Sequence, residues 1–182
     1  MIAVSDSIAL ESISISDHSK LLDLINYIYP PAYKYLWKNE DCNFYFERFY
    51  SLTNLKAELA ESKSEYYFVQ YGNNLVGILR IHFDKVLKSM PEKSACYINR
   101  IYLSEEAQGK GIAGALFNWV EQKARLNKNG VIWLEAMDSK AQALRFYEKQ
   151  GLIKSHMAYL DFEPLHDDFR GMHVMYKLLN DK

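Results

Sequence analysis

The chain has 182 residues, 25% of them charged, with 22 Lys and Arg against 23 Asp and Glu and a formal net charge of −1. That balance points to neither nucleic acid nor an anionic membrane as partner, so any electrostatic selection must be local. The length fits a single domain over residues 1–182, because chains of this size bury about 70% of their unfolded surface.

No apolar run reaches the roughly 20 residues that span a bilayer. The opening MIAVSDSIAL carries neither a basic n-region nor a cleavage-site pattern, so a cytoplasmic protein without membrane attachment is expected. Cys42 and Cys96 lie far apart with no C-x-x-C pair, which predicts reduced thiols. His18, His82, His156, His166 and His173 form no metal-binding spacing, and no metal is expected.

Along the chain, Ile8, Leu10, Ile13 and Ile15 predict a first strand with a phase break. Asp17 is placed to cap a helix carrying Leu21, Leu22, Ile25 and Ile28 on one face. Pro30-Pro31 is expected to end that helix. Residues 32–50 are rich in aromatics but poorly periodic: Tyr33, Tyr35, Trp37, Phe44, Tyr45, Phe46, Phe49 and Tyr50 stand among Glu40, Asp41 and Glu47. Two readings stay open for this stretch: a short helix packing aromatics into the core, or one wall of an acceptor pocket.

Leu52, Leu55 and Leu59 mark another short helix, followed by an apolar run over residues 66–71. Gly72-Asn73-Asn74 supplies the positive-φ residues of a hairpin turn, and residues 75–83 form the returning strand. Residues 85–93, with Pro91, read as a polar loop, and residues 95–103 as a buried strand.

After that strand comes a turn containing Gln108, Gly109, Lys110 and Gly111, then an apolar helix over about 111–126 aligned by Ile112, Leu116, Trp119, Val120 and Lys123. The first turn of a helix has backbone N–H groups without intrahelical acceptors, and glycines let that backbone approach a phosphate closely. A phosphate-bearing ligand is the first expectation. A P-loop is excluded, since Lys110 is followed by Gly111 instead of Ser or Thr. Gly109, Gly111 and Gly114 spell the dinucleotide pattern G-x-G-x-x-G, with Glu135 at about the distance of a ribose-binding acid. The polar link at 104–108 and the single strand–helix–strand unit that follows argue against that reading. Residues 131–134 form a continuously apolar strand expected to pair in parallel with 95–103 through a right-handed crossover. A helix over 141–150 and two last strands over 152–162 and 172–179 complete the reading.

These residues resemble the GNAT superfamily of N-acetyltransferases. Its pyrophosphate loop, Q/R-x-x-G-x-G/A, is matched by Gln108, Gly111 and Ala113, and Asn99-Arg100-Ile101-Tyr102-Leu103 is similar to the strand before it. The segment A-L-R-F-Y-E-K-Q-G-L, from Ala143 to Leu152, matches the family's second landmark. The resemblance implies an α/β fold with a mixed, mostly antiparallel sheet of about seven strands flanked by helices, and a splayed parallel central pair. It implies acetyl-CoA as co-substrate, with Gln108, Gly109, Lys110, Gly111, Ile112, Ala113 and Gly114 at its pyrophosphate. The backbone of Ile101, Tyr102 and Leu103 would lie along its pantetheine and thioester, with their side chains in the core. Tyr147 takes the position whose phenol faces the CoA sulfur.

The implied reaction is direct acetyl transfer to a primary amine. Such an amine has a pKa near 10.4, so at pH 7 only about one molecule in a few thousand is neutral, a deficit of roughly 4–5 kcal/mol. The site must accept a proton or select the neutral form. Many relatives carry an Asn at the position of Lys140, where its amide binds pantetheine; Lys140 either leaves the arm to other groups or meets a phosphate. Relatives often place a Glu where this chain has Asn99, so no base is assigned; Glu135, Asp138 and the carboxylates of 161–168 stay open.

The aromatic first third and the last hairpin look most like the bacterial polyamine acetyltransferases. Glu40, Asp41, Asp161, Glu163, Asp167 and Asp168 would suit a small cationic amine. A peptide or protein N-acetyltransferase and a non-catalytic acyl-CoA sensor are the alternatives. The resemblance also allows a homodimer.

Overall fold

The computed structural model describes residues 1–179. Its residues gather into two compact units, residues 1–80 with 100–115, and residues 81–99 with the chain from Leu116 onward. The strands form an eight-stranded sheet in the order β1-β2-β3-β4-β5-β6-β8-β7, mostly antiparallel, and β4 and β5 run through both units. Five α-helices accompany it. This is the mixed architecture expected, with one strand more than about seven because Ile2–Ala3 adds a two-residue β1.

In the first unit β1 pairs with β2 (Ile8–Ser12), which pairs antiparallel with β3 (Ser64–Tyr71). The phase break ends β2: Ile13 stays buried and donates its N–H to the Tyr66 carbonyl, whereas Ile15 opens a 3-10 turn and is exposed. Asp17 closes that turn instead of capping α1 (His18–Tyr33). Its carboxylate accepts from the Ser14 hydroxyl and N–H, which holds its pKa below the usual range.

Helix α1 buries Leu21, Leu24, Ile25 and Ile28 at helical spacing and runs straight through Pro30 and Pro31. The expectation that these prolines end it fails for a geometric reason. Proline's fixed φ is helical, and both residues fall in the last turn, where the bonds lost are to the carbonyls of Asn26 and Tyr27. The Lys34 N–H still closes on the Pro30 carbonyl. Two 3-10 turns then lead to α2 (Asn43–Tyr50) and α3 (Leu52–Ala60), the latter capped by the Ser51 hydroxyl accepting from the Asn54 N–H.

The β3–β4 hairpin turns on Gly72 alone, at φ +57°; Asn73 and Asn74 are not in the left-handed region. One positive φ, at the first central residue, is the pattern of a II′ turn, which keeps the right-handed twist of the two strands. Strand β4 (Asn74–His82) carries Gly77, where a Cβ would stand 2.2 Å from the Tyr102 carbonyl oxygen and 2.7 Å from the Leu103 Cδ2. The far end of β5 (Ala95–Leu103) therefore approaches β4 more closely than any side chain allows, and the Ser104 N–H donates to the Val76 carbonyl just beyond.

In the second unit β5 pairs in parallel with β6 (Val131–Met137) from Ala95↔Val131 to Ile98↔Leu134. Among the described residues the register ends there, although β5 runs on to Leu103, so the parallel pair parts as expected. The antiparallel β8 (Gly171–Leu178) takes the other edge of β6 along its full length, and β7 (Ile153–Tyr159) lies outside β8. The loop over 84–94 is less polar than it reads. Leu87 packs with Ala95, Val131, Trp133 and Val174, and the Trp133 indole N–H donates to the Lys85 carbonyl.

Replacing Gly77 by Ala should lower the melting temperature by several degrees, because the new methyl meets backbone that cannot move aside. Gly114→Ala, within helix α4 (Ile112–Leu126) and with nothing within 4 Å of the new Cβ, should shift stability the other way by about 0.5–1 kcal/mol. Thermal unfolding of the two variants beside the parent checks both signs.

Candidate active site

Strand β5 carries alternate residues to opposite faces. Arg100 and Tyr102 therefore share a face, and within the first unit that face meets the aromatic stretch. Tyr29 of α1 is buried between Tyr33, at 4.8 Å and 24°, and Tyr45 of α2, at 4.1 Å and 12°, with Tyr102 edge-on at 5.8 Å. The hydroxyls of Tyr45 and Tyr102 lie 2.8 Å apart, and the Trp37 indole N–H donates to the Tyr29 hydroxyl. Burial pushes the Tyr29, Tyr45, Tyr50 and Tyr102 phenols above their ordinary range, so all four are neutral at physiological pH.

Beside this cluster Arg100 is buried and forms a bidentate pair with Glu58 of α3, at 2.7 and 2.8 Å. Its guanidinium lies over the Tyr50 ring at 4.9 Å and near the Tyr66 ring at 5.7 Å. Arg80 is also buried; it pairs with Glu61 at 2.7 Å and approaches Glu58 at 3.6 Å. Burial raises the Tyr66 phenol to about 12.

Past Leu103 the chain makes a 3-10 turn at Glu105–Ala107 and then the glycine turn. Tyr27 donates its hydroxyl to Glu106, which holds that carboxyl below its usual range, and the Lys110 ammonium lies 5.2 Å from the Tyr71 ring. Gly109 and Gly111 sit at φ +72° and +73°, and a Cβ at either would meet nothing within 4 Å. The first intrahelical bond of α4 (Ile112–Leu126) runs from the Ala115 N–H to the Gly111 carbonyl. The amides of Ile112, Ala113 and Gly114 thus begin the helix without intrahelical acceptors, at its positive end and beside open backbone.

In the second unit, helix α5 (Ala141–Lys149) follows β6 with Lys140 at its N-cap position, and the Lys140 carbonyl accepts from the Leu144 N–H. Lys140 is half-buried, and that burial lowers its pKa. Tyr147 stands two turns later on the same helical face, half-buried, with its ring 5.4 Å from Phe146 and 6.5 Å from Phe117 of α4. Gly151, at φ +87°, turns the chain out of the helix.

A family model matches the segment that holds strand β5, the glycine turn and the helix start. The acetyltransferase (GNAT) model covers residues 27–152. The chain belongs to the acetyltransferase (GNAT) family.

An uncharacterized N-acetyltransferase in the pepI 3′ region of Lactobacillus delbrueckii subsp. lactis is 28% identical over 115 residues, which is 63% of this chain. The match spans just under two thirds, 66%, of that relative's length. The spermidine N-acetyltransferase of Vibrio cholerae, solved with CoA and spermine, superposes with a TM-score of 0.68 at 17% identity, covering 96% of each chain. A RimL ribosomal-protein alpha-N acetyltransferase solved with coenzyme A gives a TM-score of 0.70 at 14% identity, covering 98% of this chain and 97% of the other.

For a member of this family the structure departs from the reading of the sequence in a few places. Ile101, Tyr102 and Leu103 are half-buried instead of core, and the Tyr102 ring belongs to the tyrosine cluster. The Arg100–Glu58 pair was not legible, because Glu58 reads as the solvated side of a short amphipathic helix. The acidic residues named as suited to a cation are engaged or solvated. Glu40 pairs with Lys34, Asp41 accepts from the Asn43 N–H, Asp167 pairs with Arg170, and Asp161 is fully exposed. Cys42 and Cys96 are both buried and neither is in a disulfide. Among the described residues no group of three or more His, Cys, Asp or Glu is placed to hold a metal ion, and no helix is long and apolar enough to cross a membrane.

Glu58 is 11% and Arg100 5% exposed at the side chain, so removing either charge strands the other. Glu58→Ala should cost about 3–5 kcal/mol in a urea titration, the loss typical of an opened buried pair. Lys34→Ala, which breaks an exposed pair, should cost less than about 1 kcal/mol in the same experiment.

Proposed function

We propose that the protein transfers the acetyl group of acetyl-CoA directly to the primary amine of a small cationic acceptor, and that residues 1–182 act as one acetyltransferase domain. The family match runs from residue 27 to residue 152, through both compact units, which supports the single-domain reading. The observation that carries the reading is β5 itself: released from β6 after Ile98, it delivers the chain to a glycine turn and to the unbonded amides of α4.

The residues present fit that co-substrate. Open backbone at Gln108, Gly109, Lys110 and Gly111, with the amides of Ile112, Ala113 and Gly114, suits a pyrophosphate, and Lys110 adds charge. Backbone groups of Ile101, Tyr102 and Leu103, freed from a parallel ladder, can bond the pantetheine arm and polarise the thioester carbonyl. Acetyl-CoA supplies an activated acyl carbon. The amine nitrogen attacks it, the N–C bond forms and the C–S bond breaks. The Tyr147 hydroxyl gives its proton to the departing thiolate, and the proton that the acylated nitrogen releases returns to the Tyr147 phenolate through solvent. Lys140, cationic and half-buried at the start of α5, is assigned to a CoA phosphate in place of the amide usual there.

Two acceptor classes enter through the structural neighbours. The Vibrio cholerae enzyme named for spermidine supports a polyamine, and the RimL enzyme supports a peptide N-terminus as the second reading. Thiol release from acetyl-CoA, measured over spermidine, spermine, amino acids, a lysine peptide and an aminoglycoside, separates them. Release with none of these would sink the small-cation reading.

Tyr147→Phe should lower turnover on the order of 10-fold or more while acetyl-CoA affinity holds. Unchanged turnover would remove Tyr147 from the mechanism. Burial lowers the Lys140 pKa and a phosphate would raise it again, so binding takes up protons where the free side chain titrates. Acetyl-CoA affinity should therefore fall as pH rises through that lowered range. Lys140→Met should abolish the dependence, as read by titration calorimetry in buffers of different ionisation enthalpy.

A further inference from the structure

The tyrosine cluster has a chemistry of its own. Its members come from three elements, α1 with Tyr29 and Tyr33, α2 with Tyr45 and Tyr50, and β5 with Tyr102. Tyr33, Tyr45 and Tyr102 are half-buried around a buried Tyr29. In the Tyr45–Tyr102 hydroxyl pair one phenol donates to the other, which leaves one O–H proton in need of a further acceptor. The Tyr50 hydroxyl, 1% exposed as a residue, makes no hydrogen bond of good geometry among the described residues, although it lies close enough to Tyr45 to be influenced by it. A buried hydroxyl left so costs about 1–3 kcal/mol unless something completes it.

The surrounding charges decide what can complete it. A polyamine needs carboxylates spaced along its length, and of those borne by the neighbouring elements Glu58, Glu40 and Asp41 are engaged within the fold, which leaves Asp23 and Glu47 at the surface. Glu58 is saturated by Arg100 and approached by Arg80; Asp23 and Glu47 are exposed; Glu40 is held by Lys34 and Asp41 by the Asn43 N–H. The charge that does face the cluster is the Arg100 guanidinium, over the Tyr50 ring. A polycation brought there meets a like charge, whereas a flat or apolar body meets ring faces, and one amine nitrogen meets the hydroxyls.

We infer that the acceptor is a monoamine carried on an aromatic or apolar body, bound on the rings of Tyr33, Tyr45 and Tyr102 with its nitrogen at the hydroxyls of Tyr45, Tyr50 and Tyr102. This rests on the acetyl-transfer reading above and narrows its acceptor. The hydroxyls exchange protons with the neutral amine and with each other without any carboxylate, and the guanidinium disfavours the ammonium form.

The test is thiol release from acetyl-CoA with phenethylamine, tyramine, hexylamine, spermidine and a lysine peptide, each at matched concentration, together with thermal protection by acetyl-CoA alone. The expected result is a kcat/KM at least 10-fold higher for the aryl and alkyl monoamines than for spermidine or the peptide. Equal or better use of spermidine or of the peptide overturns the inference and leaves acetyl transfer standing. Release with no amine despite protection by acetyl-CoA overturns it together with the acetyl-transfer reading, leaving a CoA-binding protein. Absence of both release and protection removes the cofactor reading as well. Tyr50→Phe separates a ligand contact from plain packing. Deleting an uncompleted hydroxyl should leave the melting temperature unchanged or raised, while KM for the monoamine rises severalfold and KM for acetyl-CoA holds. Unchanged KM for the monoamine overturns the role given to that hydroxyl.

Discussion

The far half of β5 is held in place by two contacts that substitute for the partner it gives up. After Ile98 it no longer pairs with β6, and a strand with one open edge and half-buried side chains would be free to shift. On one side Gly77 lets β4 close to a distance that any Cβ would forbid, pinning the carbonyl of Tyr102. On its face Arg100 ties the strand to α3 through two hydrogen bonds from a guanidinium, a pair whose geometry fixes direction as well as distance. The glycine turn and the start of α4 follow within ten residues and inherit their position from that segment.

The pair is buried, so its worth lies in specificity more than in net stability. Two charges removed from water recover their solvation only in part, and apolar replacements of the same volume can be as stable. What the bidentate pair adds to apolar packing is a fixed direction between strand and helix. Arg100 also packs against Tyr50 and Tyr66, so the same guanidinium sets the aromatic wall and the strand together. A shift of either would strand a buried charge.

Legibility in the sequence followed the range of the interaction. The glycine turn, the helix over 112–126 and the hairpin at Gly72 are local, fixed by φ and by spacing, and the structure places them where the pattern does. Pro30-Pro31 misled because proline's φ is itself helical, and the two bonds it removes fall where the helix has only three or four residues left to run. The eight-stranded order was only partly readable, since the insertion of β8 between β6 and β7 depends on the hairpin folding back beside β6 along seven residue pairs. Glu58 was invisible for a different reason. A carboxylate on a short helix looks solvated until the strand bearing Arg100, 42 residues later, is laid against it.

Asn99 and the tyrosine cluster bear on the same difficulty. Where relatives resembling this chain place a Glu, Asn99 cannot take up a proton, and the carboxylate that the structure buries against the adjoining Arg100, Glu58, is neutralised by two guanidiniums. A site that draws on no carboxylate, as proposed above, must obtain its nucleophile already neutral. Low polarity and a nearby positive charge both lower an amine's pKa, and they act before chemistry instead of during it. An aromatic wall beside Arg100 meets that requirement through the residues that also keep the strand in place. On the proposals above, the substrate preference and the lack of an assigned base are two consequences of one arrangement, in which the charge that positions the strand also selects the form of the amine that can react.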